Sequence, residues 1–259
     1  MTLREKLKAG QPVLGSWVQS GSEVASEILA GVGFDFLALD MEHTESDAQG
    51  FYRFARAVGA ANAGENGVKT VPLARVREND TLVIRRVMDG GAEGVIIPLV
   101  SNAAEAERAV AAVKYPPRGV RGFAFVRAND WGERFDEYAA QANERSVVIV
   151  MIESREAVSN IDAILAVDGV DGVLIGPYDL SGSYGVVGQT AHPLVKEAKR
   201  TVLEACLRHG KAAGQHIVLP TAENVAAALA EGYKFLALGM DTVFLAEGAK
   251  NTFRMTKGV

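Results

Sequence analysis

The stretch SVVIVMIESREAVSNIDAILAVDGVDGVLIG, residues 146–176, decides how this chain folds. It opens on an apolar, β-branched run, SVVIVMIE (146–153), and closes on another, GVLIG (172–176). Between them Ser154 stands as an N-cap candidate, and Val158, Ile161 and Leu165 follow at helical spacing. Strand, helix and strand in that order form the βαβ unit of a parallel sheet.

Working outward, the same alternation repeats. Further strands are predicted at VLGSWV (13–18), DFLALDM (35–41), TVPLARV (70–76), GVIIPLV (94–100), AAGQHIV (212–218) and FLALGM (235–240), giving eight in all. Most are apolar on consecutive positions, as strands covered on both faces are. The helices between them have readable ends: Ser22, Asn102 and Thr221 as N-caps, Pro193 at a first helical position, Gly210 and Gly232 at C′. Two segment pairs resemble each other, GAEGVIIP (91–98) with GVDGVLIG (169–176) and FLALDM (36–41) with FLALGMD (235–241), which marks recurring βα units. No linker rich in Pro, Ser or charge interrupts them.

The length of 259 residues allows one large domain or two small ones, and a (β/α)8 barrel of about 250 residues uses all of it. The expected fold is therefore α/β, a single TIM-barrel domain over 1–259. Apolar residues at 48% and charged residues at 23% exclude a disordered, collagen-like or coiled-coil chain. Against 27 basic side chains stand 32 acidic ones, and the resulting charge of −5 has the wrong sign for nucleic acid or anionic lipid. An anionic small ligand would need a local arginine. There is no apolar stretch of membrane-spanning length, and MTLREKLKAG carries charges where a signal peptide needs an apolar run, so a cytoplasmic protein is expected. The single cysteine, Cys206, lies on the apolar stripe of a predicted helix and reads as an inert buried thiol.

In a parallel barrel the chemistry sits at the carboxyl ends of the strands. There the sequence places Trp17 and Gln19, then Asp40, Glu42 and His43, then Arg75, Glu153, Tyr178 with Asp179, His216 and Asp241. No lysine stands among them, which argues against an imine-forming enzyme. Glu153 and Asp179, from neighbouring strands, are a candidate pair for Mg2+ or Mn2+, because hard cations take carboxylate oxygens and keep exchangeable positions. Each could equally be an N-cap. His43 could move a proton near neutral pH with Asp40 fixing its tautomer, or could be a core histidine. Arg75 offers a fork of donors to a carboxylate or a developing enolate, or pairs structurally with Asp40 or Glu42. Asp35, Glu93 and Asp171 precede strands and read as structural, as do His192 and His209 at helix ends.

DMEH (40–43), PLARV (72–76), MIES (151–154) and GPYDLSGSYG (176–185) together resemble the signature of the HpcH/HpaI aldolase family, and the likeness runs from GSWVQSGS (15–22) to GMDTVFL (239–245). The resemblance implies a class II pyruvate aldolase that makes or cleaves 4-hydroxy-2-oxo acids from a keto acid and an aldehyde. It implies a divalent metal, Mg2+ or Mn2+ with Co2+ or Zn2+ as further candidates, held by Glu153 and Asp179. It makes His43 with Asp40 the proton-handling pair and Arg75 the group that stabilises the enolate. Backbone N–H groups around Tyr178 and Asp179 would hold the substrate carboxylate, with Trp17 a further substrate contact. It also implies a homohexamer, a trimer of dimers with the last helix exchanged between subunits. Some relatives carry Gln where this chain has Met151, and relatives on this scaffold also act on oxaloacetate, citrate-like acids or CoA esters. No basic surface suited to CoA is evident. The long segment YPPRGVRGFAFVRANDW (115–131) carries Arg118, Arg121 and Arg127, which could bind an anionic group on the aldehyde, Arg121 being the chosen candidate, or could tie subunits together.

Overall fold

The computed structural model describes residues 1–64, 67 and 69–257. Eight parallel strands close into one barrel in chain order: β1 Val13–Val18, β2 Phe36–Asp40, β3 Val71–Arg75, β4 Gly94–Ile97, β5 Val147–Ile152, β6 Gly172–Ile175, β7 Ala212–Ile217 and β8 Phe235–Met240. The helices are α1 Leu3–Lys8, α2 Glu23–Val32, α3 Ala48–Asn62, α4 Thr81–Asp89, α5 Ala103–Val113, α6 Phe135–Arg145, α7 Arg155–Ser159, α8 Ile161–Leu165, α9 Pro177–Ser183, α10 Pro193–His209, α11 Ala222–Glu231 and α12 Asp241–Thr256. All eight expected strands are present, so the fold is the (β/α)8 barrel. The caps at Ser22, Asn102, Ser154 and Thr221 form as read, and Gly210 and Gly232 end their helices in the left-handed conformation. One helix departs from expectation. The run after β5 breaks into α7 and α8 at Asn160, whose side chain instead donates to Ser101 O at 2.9 Å.

Strand periodicity explains both the core and the site. Leu37, Leu39, Val148, Val150 and Ile152 face outward into the layer packed by the helices. Phe36, Ala38, Leu73, Val147, Ile149, Met151, Leu174, Ala212, Phe235 and Ala237 face the barrel axis. Continuing the inward parity by one step at the carboxyl ends delivers Asp40, Arg75, Glu153 and His216 to the mouth. At the starts of β2 and β8, Phe36 and Phe235 stack at 4.4 Å, and Gly15 makes room for them, because a Cβ there would lie 2.5 Å from the Phe36 ring.

The amino-terminal face is sealed by α1, fixed by a Thr2–Glu5 capping box, with Leu3 and Leu7 set into the inner core. Asp171 ties this plug to the barrel. It accepts from Arg4 Nε at 2.7 Å and from the Val148 N–H at 3.0 Å, with both side chains buried. Asp35 repeats the device on Lys6 and the Leu14 N–H. These acids are structural, as their place before the strands indicated.

Segment 115–131 is a clasp along the barrel wall. Arg118 pairs with Glu144, and Arg127 donates to Gly90 O and Ala55 O at 2.9 and 3.0 Å. Arg121 is fully buried, donating to Asp89 at 2.9 Å and Tyr138 Oη at 3.0 Å, with the Tyr115 ring 4.5 Å from its guanidinium.

Removing one partner of a buried ion pair strands the other charge. Asp171→Ala should therefore destabilise the fold by about 3–5 kcal/mol in chemical denaturation. A loss below about 1 kcal/mol, the range of exposed pairs, would show that the plug is held by apolar burial alone.

Candidate active site

A cavity of about 230 Å3 lies at the carboxyl ends of the strands, lined among others by Trp17, His43, Arg75, Met151, Glu153 and Asp179. A larger cavity of about 410 Å3 lies beside the amino-terminal ends of β4 and β5, where Glu93 and Ser146 line it. Its charged side chains already have partners, Arg134 with Glu137 and Asp130, Arg145 with Glu93, and Arg127 with backbone carbonyls, so the smaller one is the candidate site.

Arg75 ends β3 beside Asp40 in strand register. Its Nε and Nη2 donate to the two Asp40 oxygens at 2.9 and 2.6 Å, a bidentate grip on a fully buried carboxylate. The guanidinium also lies 4.7 Å from the Trp17 ring, and Nη1 reaches 3.2 Å from Glu42 Oε2. Burial pushes the Asp40 carboxyl up, but Arg75, Gln19 and the His43 N–H outweigh it and hold it below the usual carboxylate range. Glu42 goes the other way, raised by burial and by Asp40 and Asp179 despite Arg75. Its Oε2 is buried without a hydrogen bond, since Arg75 Nη1 is near but not aligned.

Glu153 follows β5 and is buried, while Ser154, not Glu153, caps α7. Glu153 Oε2 accepts the Leu99 N–H at 3.0 Å, and Leu99 holds a positive φ of 56° to make that bond. The other oxygen lies over Gly176: a Cβ there would stand 2.6 Å from Glu153 Oε1, so only glycine fits. Burial pushes the Glu153 carboxyl up to about 7, with Glu42 and Asp179 adding repulsion and the Leu99 N–H and Arg75 opposing it. Asp179 sits in the first turn of α9 and is exposed.

Could these residues hold a divalent cation? Among the described residues no three Asp, Glu, His or Cys side chains converge tightly enough to enclose one. The chain instead offers an open pair, Glu153 and Asp179, with the unpartnered Glu42 oxygen nearby. A buried and an exposed carboxylate that line one cavity and repel each other suit a hard cation that completes its coordination with substrate and water. The donor set fits.

Two expectations need correction. Asp40 does not hold the His43 imidazole: its oxygens are occupied by Arg75, and it meets His43 only through the backbone N–H at 3.3 Å. The carboxylate beside the His43 ring is Glu42, 3.7 Å from Nε2, and the imidazole is largely exposed. Arg121 does not line this cavity, because a guanidinium that deeply buried needs its pairing within the clasp. Trp17, Tyr178 and Asp179 do line it, as does Met151. Asp241 turns to the loop after β1, accepting the Gln19 and Ser20 N–H groups. Lys114 is buried on the far face, donating to Asn143 O and Ser146 O. Cys206 is an inert thiol, pushed up to about 12 by burial. His209 pairs with Asp162, and His192 caps α10.

A carboxylate pair beside a clamped guanidinium, at the carboxyl-terminal mouth of a (β/α)8 barrel, has the parts of a lyase acting on small oxygen-rich anions. The chain belongs to the HpcH/HpaI aldolase/citrate lyase family, whose model matches residues 14–247. It is 40% identical over 250 residues to a 4-hydroxy-2-oxo-heptane-1,7-dioate aldolase of Salmonella dublin, covering 95% of this chain and 91% of that one. Among solved structures it is similar to a HpcH/HpaI aldolase/citrate lyase family protein from Burkholderia cenocepacia J2315, with 31% identity, a TM-score of 0.92 and 98% of both chains covered. It is also similar to the citrate synthase SbnG, with 29% identity, a TM-score of 0.84, and 99% and 98% covered.

Because its folded pKa lies above the ordinary value of 4.5, Glu153 holds a proton that the unfolded chain releases between pH 4.5 and about 7. Its ionisation therefore costs stability increasingly across that window, reaching about 3 kcal/mol above it. Glu153→Gln should raise Tm by several degrees at pH 8 in EDTA and leave it nearly unchanged at pH 4. An equal effect at both pH values would contradict this origin.

Proposed function

We propose that the chain is a carbon–carbon lyase, a class II pyruvate aldolase that makes or cleaves 4-hydroxy-2-oxo acids. The observation that carries this reading is the meeting, at one small cavity, of the open pair Glu153 and Asp179 with an Arg75 clamped by Asp40. Glu153 and Asp179 would hold the cation, Mg2+ or Mn2+, with Co2+ or Zn2+ as further candidates. When bound, such a cation polarises the carbonyl of a 2-oxo acid and eases loss of a proton from the neighbouring carbon.

The chain's own residues supply the rest. Arg75 faces the oxygen that turns negative as the proton leaves, and its grip on Asp40 fixes the donor beforehand, so little reorganisation is needed. The first-turn N–H groups of Tyr178 and Asp179 have no intrahelical acceptor and receive the substrate carboxylate. Trp17 walls the cavity beside Arg75. His43, at the rim with Glu42 beside its ring, takes the methyl proton of pyruvate. The carbon that lost it bonds to the aldehyde carbon, and the proton returns to the aldehyde oxygen as a hydroxyl.

A second reading keeps the site but assigns a lyase or synthase reaction on oxaloacetate or a citrate-like acid. It is favoured by the likeness to SbnG and by the apolar Met151 in the cavity wall. The aldolase is preferred because, among the described residues, Arg75 is the sole Lys or Arg lining the cavity, too little positive charge for a tricarboxylate.

The same proposal takes the chain as one barrel domain working in the cytoplasm, with small-molecule partners and no nucleic acid or membrane. No helix among the described residues is long and apolar enough to cross a membrane. In this proposal the chain assembles as a homohexamer with α12 exchanged between subunits, a reading supported by α12 burying Asp241 alone against its own barrel and leaving Leu245, Phe253 and Met255 exposed.

Pyruvate release from a 4-hydroxy-2-oxo acid should fall at least 100-fold in EDTA and return with Mg2+ or Mn2+. Arg75→Lys, which cannot keep the two-point grip, should lower kcat by about 100-fold with the cation present. Full turnover in EDTA would sink the metal role, and a much higher kcat/KM on oxaloacetate than on any aldol would favour the second reading.

A further inference from the structure

The Arg75–Asp40 clamp has a third member. One step past the paired residues Val18 and Leu39, the β1–β2 register sets Gln19 beside Asp40, as the next register sets Asp40 beside Arg75. Gln19 keeps the inward parity of Val13 and Trp17 and lines the cavity. Its Nε2 lies 3.2 Å from Asp40 Oδ2, the oxygen that also accepts from Arg75 Nη2. Asp40 is held ionised and a carboxylate only accepts, so the amide must turn its NH2 toward Asp40. Gln19 Oε1 then faces the Thr242 hydroxyl, which donates to it at 3.1 Å. The ends of β1, β2 and β3 and the start of α12 thus carry one hydrogen-bonded row: Thr242, Gln19, Asp40 and Arg75.

The far end of this row is anchored. Asp241 opens α12 and is buried, accepting the Gln19 N–H at 2.8 Å, the Ser20 N–H at 3.1 Å and the Ser20 hydroxyl. The first turn of α12 therefore grips Gln19 twice, at its backbone through Asp241 and at its side chain through Thr242. At the near end Trp17, two residues earlier, lies 4.7 Å from the Arg75 guanidinium. The β1 end supports both partners of the clamp, Arg75 through Trp17 and Asp40 through Gln19, and Gln19 carries that support on to α12. An apolar side chain at position 19 would take a charge-assisted bond from Asp40 Oδ2 and loosen the geometry that aims Arg75.

We infer that Gln19 is a positioning residue for Arg75: it acts through Asp40 and, by its bond to Thr242, makes the set of the guanidinium depend on the seat of the first turn of α12. The part Arg75 plays in the reaction rests on the aldolase reading, while the row rests on geometry alone.

The test follows exchange of pyruvate methyl protons in D2O with Mg2+ or Mn2+, together with Tm, in wild type, Gln19→Leu, Thr242→Val, Thr242→Ser and the Gln19→Leu/Thr242→Val double variant. Gln19→Leu should lower kcat for exchange about 10-fold and leave KM for pyruvate within about twofold, because the aim of a donor matters most where charge develops. Thr242 is exposed, so Thr242→Val should lower kcat less, about threefold, and Thr242→Ser, which keeps the hydroxyl, should match wild type. The double variant should match Gln19→Leu in kcat, and the Tm losses of the single variants should not add, because one row of bonds is broken once. An unchanged kcat in Gln19→Leu, kcat losses that multiply, Tm losses that add, or a Thr242→Ser as slow as Thr242→Val overturns the assignment. No exchange in wild type overturns the aldolase reading itself, and the Tm comparison then decides the row.

Discussion

The Arg75–Asp40 pair is the contact on which the mouth of the barrel depends. Neighbouring strands in register place a guanidinium against a fully buried carboxylate, and the two-point bond at 2.9 and 2.6 Å fixes the orientation of both. Without Arg75, Asp40 would be a buried charge without a counterion, next to Glu42, which in turn feels Asp179 and Glu153. With it, the barrel keeps a cluster of acids at its centre and still presents an arginine to an incoming anion. That local field overrides the net charge of −5.

The two ends of the barrel show how one strand period serves two purposes. At the amino-terminal face, acids before the strands accept backbone N–H groups and clamp the α1 plug. At the carboxyl-terminal face the same inward positions carry side chains whose partners are incomplete: the Glu42 oxygen, the Trp17 indole and the upper Glu153 oxygen over Gly176. Among the described residues Ser16 Oγ, Asn79 Oδ1 and Arg121 Nε are also buried without a partner, so what sets the mouth apart is that its incomplete groups gather near one cavity. The strained Leu99 belongs to the second set, since its N–H holds Glu153 from an adjoining loop.

Much of this was legible in the sequence because strands, caps and strand ends are local. Apolar runs located all eight strands, and the residues at their carboxyl ends, Trp17, Arg75, Glu153 and Tyr178 with Asp179, do line one cavity. What spacing could not supply was the partner each side chain chooses. Asp40 and His43 are three residues apart, yet the Asp40 oxygens go to Arg75 across the sheet. Arg121 looked free in a loop, but tertiary packing buries it between Tyr115 and Tyr138. His216 was visible at a strand end, while the partner of its Nε2, Gly239 O at 3.2 Å, comes from the next strand. Asn160 breaks a helix that periodicity joins, because its amide is drawn to Ser101.

The central claim is that Glu153 and Asp179, beside Arg75, make this mouth a site for removing a proton from a bound keto acid. The most direct test follows loss of the pyruvate methyl signal by proton NMR in D2O, in wild type and Glu153→Gln. The account predicts complete deuteration of the methyl group by catalytic amounts of wild type with Mg2+ or Mn2+, and exchange at the background rate in EDTA or in Glu153→Gln. Exchange at the wild-type rate in that variant would contradict it.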